Sequence, residues 1–127
     1  MTFRTPFTRI RYYIILQKEI VMSWIILIVA GLFEVAMALS LENSEGFRKP
    51  GWIVAFLLTG GTSFYLLAVA LRDLPVGTAY AVWTGIGAVG TAVLGILLLG
   101  ESANPWRLGA ILLIVLGIAV LRLAPGS

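Results

Sequence analysis

The sequence predicts an all-α integral membrane protein built from four transmembrane helices, and three observations carry that reading. Of its 127 residues, 60% are hydrophobic and only 12% charged, with a mean hydropathy of +1.01; soluble domains lie well away from these values. Four apolar stretches each match the roughly 20 helical residues needed to cross a hydrocarbon core about 30 Å thick. The segments joining them are short and polar or turn-forming.

The composition also excludes several classes of function. Cysteine and histidine are both absent, which removes disulfides, thiol redox chemistry, Cys/His zinc sites and histidine proton relays. No metal or cofactor is expected, and only carboxylates remain as proton carriers near neutral pH. The net charge of +3 does not mark a nucleic-acid surface, because Arg4, Arg9, Arg11 and Lys18 cluster in the first twenty-odd residues and no basic stripe follows.

Residues 1–21 form a basic, partly aromatic extension. Its apolar run at 12–16 is too short to span, and no small-residue cleavage site follows, so it does not read as a signal peptide. A membrane-surface arm is one reading. The preferred one makes Met22 the natural start, since Lys18-Glu19 can be encoded by AAGGAG, a purine-rich ribosome-binding sequence two codons upstream. N-terminal sequencing of protein made from the native gene decides between them.

The spans are then expected at 23–41, 52–71, 76–99 and 105–123, within a single domain of residues 22–127. Connections at 42–51, 72–75 and 100–104 force neighbouring spans to run antiparallel, giving an up-down-up-down bundle with both termini on one side. From Met22 onward, Arg72 and Arg122 on one side face Arg48, Lys49 and Arg107 on the other. That is almost no orientation bias, so the chain can insert either way up and two copies can pair in opposite orientations. The basic arm, if present, places both termini in the cytoplasm.

Within the first span, Glu34 is the only carboxylate inside any apolar stretch. Eleven residues at about 1.5 Å each put it about 16 Å below Ser23, near mid-membrane. A charge there is unfavourable by several kcal/mol, which makes it a functional candidate. Low-dielectric surroundings favour the neutral carboxyl and a bound cation favours the carboxylate, so proton and cation compete for one site. A bland alternative is a Glu that glues helices by hydrogen bonding, a task Asn or Gln performs without the charge.

In the third span, Tyr80, Trp83, Thr84 and Gly87 recur at i, i+3, i+4 and i+7 on one helix face. A Trp ring attracts a desolvated cation, and a Tyr hydroxyl orients a carboxylate or a ligand; beside Glu34 this stripe reads as a cation-binding wall, and without Glu34 as packing surface. Gly85, Gly87 and Gly90 allow close helix approach or a bend. In the fourth span, Ala110 and Gly117 lie seven apart beneath bulky neighbours, a weak signal for a dimer seam.

The run from Leu74 through Thr78-Ala79-Tyr80-Ala81-Val82-Trp83-Thr84-Gly85 to Gly90 resembles the third-helix signature of small multidrug resistance transporters. Gly31-Leu32-Phe33-Glu34-Val35 and Gly100-Glu101-Ser102-Ala103-Asn104-Pro105 agree with it. The likeness runs from Met22 to the C-terminus and is strongest to the guanidinium-exporter branch. It implies a proton-coupled exporter of small organic cations in a prokaryotic inner membrane, working as an antiparallel homodimer whose two Glu34 residues share one site. It further implies that Tyr80 and Trp83 gate and orient, and that Ser63 supplies a second-helix hydroxyl near the Glu. Planar guanidinium donates paired hydrogen bonds to a carboxylate as an Arg side chain does.

Two departures bear on the substrate. Met37, one turn after Glu34, stands where that branch usually carries a Trp, and its thioether gives no rigid indole donor. Glu42 stands where the family usually has a Lys. The alternatives are therefore a broader quaternary ammonium or multidrug exporter, one half of a heterodimeric pair, or a non-transporting subunit. An enzyme is not expected, because no nucleophile stands with a base; no phosphate-binding loop points to ATP as an energy source.

Overall fold

A computed structural model describes residues 5–126. It contains four helices, α1 (Pro6–Asn43), α2 (Pro50–Ala70), α3 (Val76–Leu99) and α4 (Pro105–Leu123). Each is long and apolar enough to cross a bilayer, and the chain is a multi-pass membrane protein.

Three of the helices carry Pro in the first turn, at Pro6, Pro50 and Pro105, where a missing N–H leaves nothing unsatisfied and φ is already helical. Asn104 caps α4, its Oδ1 accepting from the Arg107 amide at 2.9 Å. α3 stops at Gly100, whose φ of +67° is left-handed, and the reversal lets the Glu101 N–H donate back to the Gly95 carbonyl at 3.1 Å. The six-residue α1–α2 connector turns on three successive left-handed residues, Glu45, Gly46 and Phe47. Ser44 holds it, accepting from the Arg48 N–H at 2.8 Å through its carbonyl and from the Phe47 N–H at 3.2 Å through its hydroxyl. The Phe47 ring stands edge-on to Phe56 at 5.7 Å.

The expected spans and the observed helices differ mainly at the first. α3 and α4 have the expected bounds and α2 shifts by a residue or two, but α1 begins at Pro6 rather than near residue 23. No Pro or Gly stands between Pro6 and Gly31, so nothing interrupts the helix once Pro6 starts it. Its 38 residues reach about 57 Å, nearly twice a hydrocarbon core.

The core lies among α1, α2 and α3. Trp24, Leu27 and Ala30 of α1 meet Leu67 and Ala70 of α2 and Val82 and Trp83 of α3. α4 approaches only α3 along its backbone and buries none of its own residues. Its C-terminal end nonetheless reaches α1, where the Arg122 guanidinium lies 4.9 Å from the Trp24 ring centre. Asp73 of the α2–α3 connector accepts from the Ser23 hydroxyl at 2.7 Å.

Small residues set these approaches. A methyl group added at Gly85 would come within 2.8 Å of Ile118 on α4 and within 3.3 Å of Ile114; one added at Gly90 would press on Val35 of α1. Gly85 and Gly90 are thus packing notches, each taken by a side chain from a neighbouring helix, whereas Gly77 meets nothing within 4 Å.

Candidate functional site

Glu34 sits half-buried on the side of α1 that faces α3. Its carboxylate lies directly over Gly87, where any β-carbon would overlap it. Oε2 is buried and has no hydrogen-bond partner among the described residues. A carboxylate carries about four lone-pair sites and is normally well supplied when buried. Here the acceptor capacity is unspent, and it borders an open cleft.

That cleft has a volume of about 430 Å³. Met37 and Thr84 flank Glu34 at its inner end, Thr91 and Ala92 continue the α3 wall, and Glu101 with Arg107 stands at the other end. The α3 contribution follows from helical spacing, because positions 84, 87, 88, 91 and 92 share one face. Met37 turns toward α2, its Sδ close enough to Gly60 that a β-carbon there would sit at 2.9 Å. The lining offers carboxylates, hydroxyls and a thioether, a set suited to a small cation with N–H groups.

A second polar cluster adjoins the cleft at the edge of the same α3 face. Trp83, 4% exposed, donates its indole N–H to the Ser63 hydroxyl at 2.9 Å, and Ser63 donates in turn to the Ala30 carbonyl at 2.6 Å. Ala30 lies one turn before Glu34, so that carbonyl is also the acceptor for the Glu34 amide in the regular helix. Trp83 is flanked by Phe64 at 5.1 Å and Tyr80 at 5.5 Å. Tyr80 itself is 57% exposed.

The structure therefore divides the residues that the sequence singled out. Glu34, Met37, Thr84 and Gly87 share the cleft, whereas Ser63, Trp83 and Tyr80 form the adjoining cluster and do not line it. Trp83 and Thr84 are neighbours in sequence but about 100° apart around the helix, and the one faces α2 while the other faces the cleft. Glu101 and Arg107 were not anticipated as part of the site. Their signal lay in Gly100-Glu101, a left-handed stop followed at once by a carboxylate.

Comparison with known proteins identifies a family for the chain. Residues 22–114 match the family described as Small Multidrug Resistance protein. A guanidinium exporter of Escherichia coli K12 is 57% identical over 103 residues, covering 81% of this chain and 98% of that protein. A guanidinium exporter of Yersinia pseudotuberculosis is 54% identical over 103 residues, 81% of this chain and 99% of that one. A third, from Citrobacter freundii, is 53% identical over the same length, 81% and 98% of the two chains. With four apolar helices, a carboxylate set into the first of them and a match over most of its length, this chain belongs to the small multidrug resistance family.

Proposed function

We propose that the chain is a proton-coupled antiporter that exports small organic cations, guanidinium foremost, by letting proton and cation compete for Glu34. The observation that carries this reading is the buried Glu34 oxygen, without a hydrogen-bond partner among the described residues and held over Gly87 at the edge of an open cleft. An unpaired carboxylate in low dielectric gains from either a proton or a cation, and binding one releases the other. Guanidinium suits a carboxylate because its planar N–H fork meets it in two parallel hydrogen bonds. The related exporters of guanidinium support the choice of substrate.

In this reading Thr84 and Met37 contact the cation beside Glu34. Trp83 and Ser63 act through the Ala30 carbonyl, fixing the height of Glu34 on α1, and Tyr80 closes over Trp83 from the exposed side. Gly85, Gly87 and Gly90 let α3 change its fit against α1 and α4 as the site opens to one side and then the other. The working unit is an antiparallel homodimer of up-down-up-down bundles in a prokaryotic inner membrane. Ala110 and Gly117 form its seam: both are exposed on α4, and a methyl group added at Gly117 would meet nothing within 4 Å. The transport unit is residues 22–127, with residues 1–21 as an extension; the family match begins at Met22.

A broader substrate range is the second reading, favoured by Met37, whose adaptable thioether lines the cleft in place of a rigid donor. Purified protein in proteoliposomes tests both. Guanidinium flux driven by a proton gradient is expected, and Glu34→Gln should abolish the coupling; unchanged flux in that variant would overturn the mechanism. Preference for a quaternary ammonium dye over guanidinium would shift the assignment to the second reading.

A further inference from the structure

The cleft below Glu34 ends at a second carboxylate seated in the same manner. Gly100 reverses the chain through its left-handed φ, and Glu101 folds back so that its carboxylate lies over Gly95, where a β-carbon would overlap it just as one at Gly87 would overlap Glu34. Gly87 and Gly95 are eight residues apart on α3, which places the two seats about 12 Å apart along one side of the helix. Both carboxylates line one continuous cleft.

The outer seat already holds a guanidinium. Arg107 NH2 donates to Glu101 Oε2, and Arg107 lines the cleft as well. Its position is set by the helix start, since Asn104 caps α4 by accepting from the Arg107 amide. The two side chains are 32% and 42% exposed, and an ion pair with that much access to water contributes little to stability, less still in salt. Such a pair is easily exchanged for another of the same geometry.

We propose that Glu101 is an outer binding station for the cation, held in reserve by the tethered guanidinium of Arg107, which an incoming guanidinium displaces before moving along α3 to Glu34. The inference rests on guanidinium being the substrate. It assigns to Arg107 the role of an internal competitor: a side chain carrying the substrate's own functional group, bound to the substrate's own acceptor. A cation lacking a planar N–H fork cannot match Arg107 at Glu101, so the station favours guanidinium over quaternary ammonium ions at the point of entry.

The test is guanidinium uptake by the full chain in proteoliposomes at low ionic strength, comparing the unaltered protein with Glu101→Gln, Glu101→Asp and Arg107→Gln. Glu101→Gln should raise KM for guanidinium roughly two- to fivefold, the range an exposed ion pair provides. Glu101→Asp keeps the charge but withdraws the carboxylate from its seat over Gly95, and should raise KM in the same direction. Arg107→Gln frees the station and should lower KM. If Glu101→Gln and Arg107→Gln shift KM the same way, the pair is only a connector latch and the proposal fails. If Glu101→Asp behaves as the unaltered protein, the effect is one of net charge and the proposal likewise fails. Absence of guanidinium flux in the unaltered protein would overturn the substrate reading, and this inference with it.

Discussion

Two neighbouring edges of one α3 face hold polar groups at similar depth and treat them in opposite ways. Toward α2, Trp83, Ser63 and the Ala30 carbonyl form a closed chain in which each donor has an acceptor at 2.6–2.9 Å. Toward α1, Glu34 presents a buried oxygen with no hydrogen-bond partner among the described residues. In hydrocarbon a satisfied network stiffens the packing around it, while an unsatisfied acceptor stays a liability until something arrives to fill it. The contrast separates residues that hold the bundle together from those left available for a ligand.

The comparison breaks most sharply at Gly87. Gly87→Val places a branched side chain where the Glu34 carboxylate lies, and transport should fall at least about tenfold, equivalent to about 1.4 kcal/mol of lost substrate or transition-state binding. The carboxylate has an open cleft to retreat into, so resistance to unfolding in mixed detergent micelles should change little. A large loss of stability instead would show that Glu34 is packed as rigidly as Trp83.

The opposite pattern is expected at Ser63. Ser63→Ala leaves the Trp83 indole N–H buried without an acceptor, and should destabilise by about 1–3 kcal/mol in the same unfolding assay. Trp83→Phe removes that donor but spares the Ser63 bond to Ala30, although it also trims a packed ring; with Ser63→Ala already present it should add less than it does alone. Additive effects from the two substitutions would show that the hydrogen-bonded chain is not a unit.

A smaller effect is expected at the boundary between the regions. Gly60→Ala brings a methyl group against the Met37 thioether, which is flexible enough to yield. Stability should move by less than about 1 kcal/mol, while the displaced Met37 alters the ratio of guanidinium to quaternary ammonium uptake. An unchanged ratio would remove Met37 from the substrate site. Asn104→Ala deletes a helix cap and should lower stability by about 1 kcal/mol in the same unfolding assay, while its effect on transport should be the smallest of these substitutions.

Much of this architecture was legible in the sequence because its punctuation is strong. Pro75, Gly100 and Pro105 stand at the edges of α3 and α4, and both spans fell where those residues allow. Glu34 was legible because a lone carboxylate in an apolar run has few bland explanations. The start of α1 was not: a basic, aromatic segment reads as something apart from a membrane helix, yet it contains no residue that stops one. The division of the Tyr80–Gly87 stripe was also hidden, because helical spacing names a broad face and only the neighbouring helices decide which edge each side chain turns toward. Glu101 escaped because its part in the cleft depends on the chain reversal at Gly100 rather than on any spacing within a span.

The Ala30–Ser63–Trp83 chain has a mechanical consequence. It joins α1, α2 and α3 at a single level, so that level acts as a fulcrum for the rest of α3. Gly95 lies twelve residues beyond Trp83, a lever arm of about 18 Å, and tilting α3 by about 10° around the fulcrum would carry the Gly95 end about 3 Å sideways. Gly87, only four residues out, would move about 1 Å on the same swing. A small rocking of one helix can thus open or shut the mouth at Glu101 while barely disturbing the grip at Glu34.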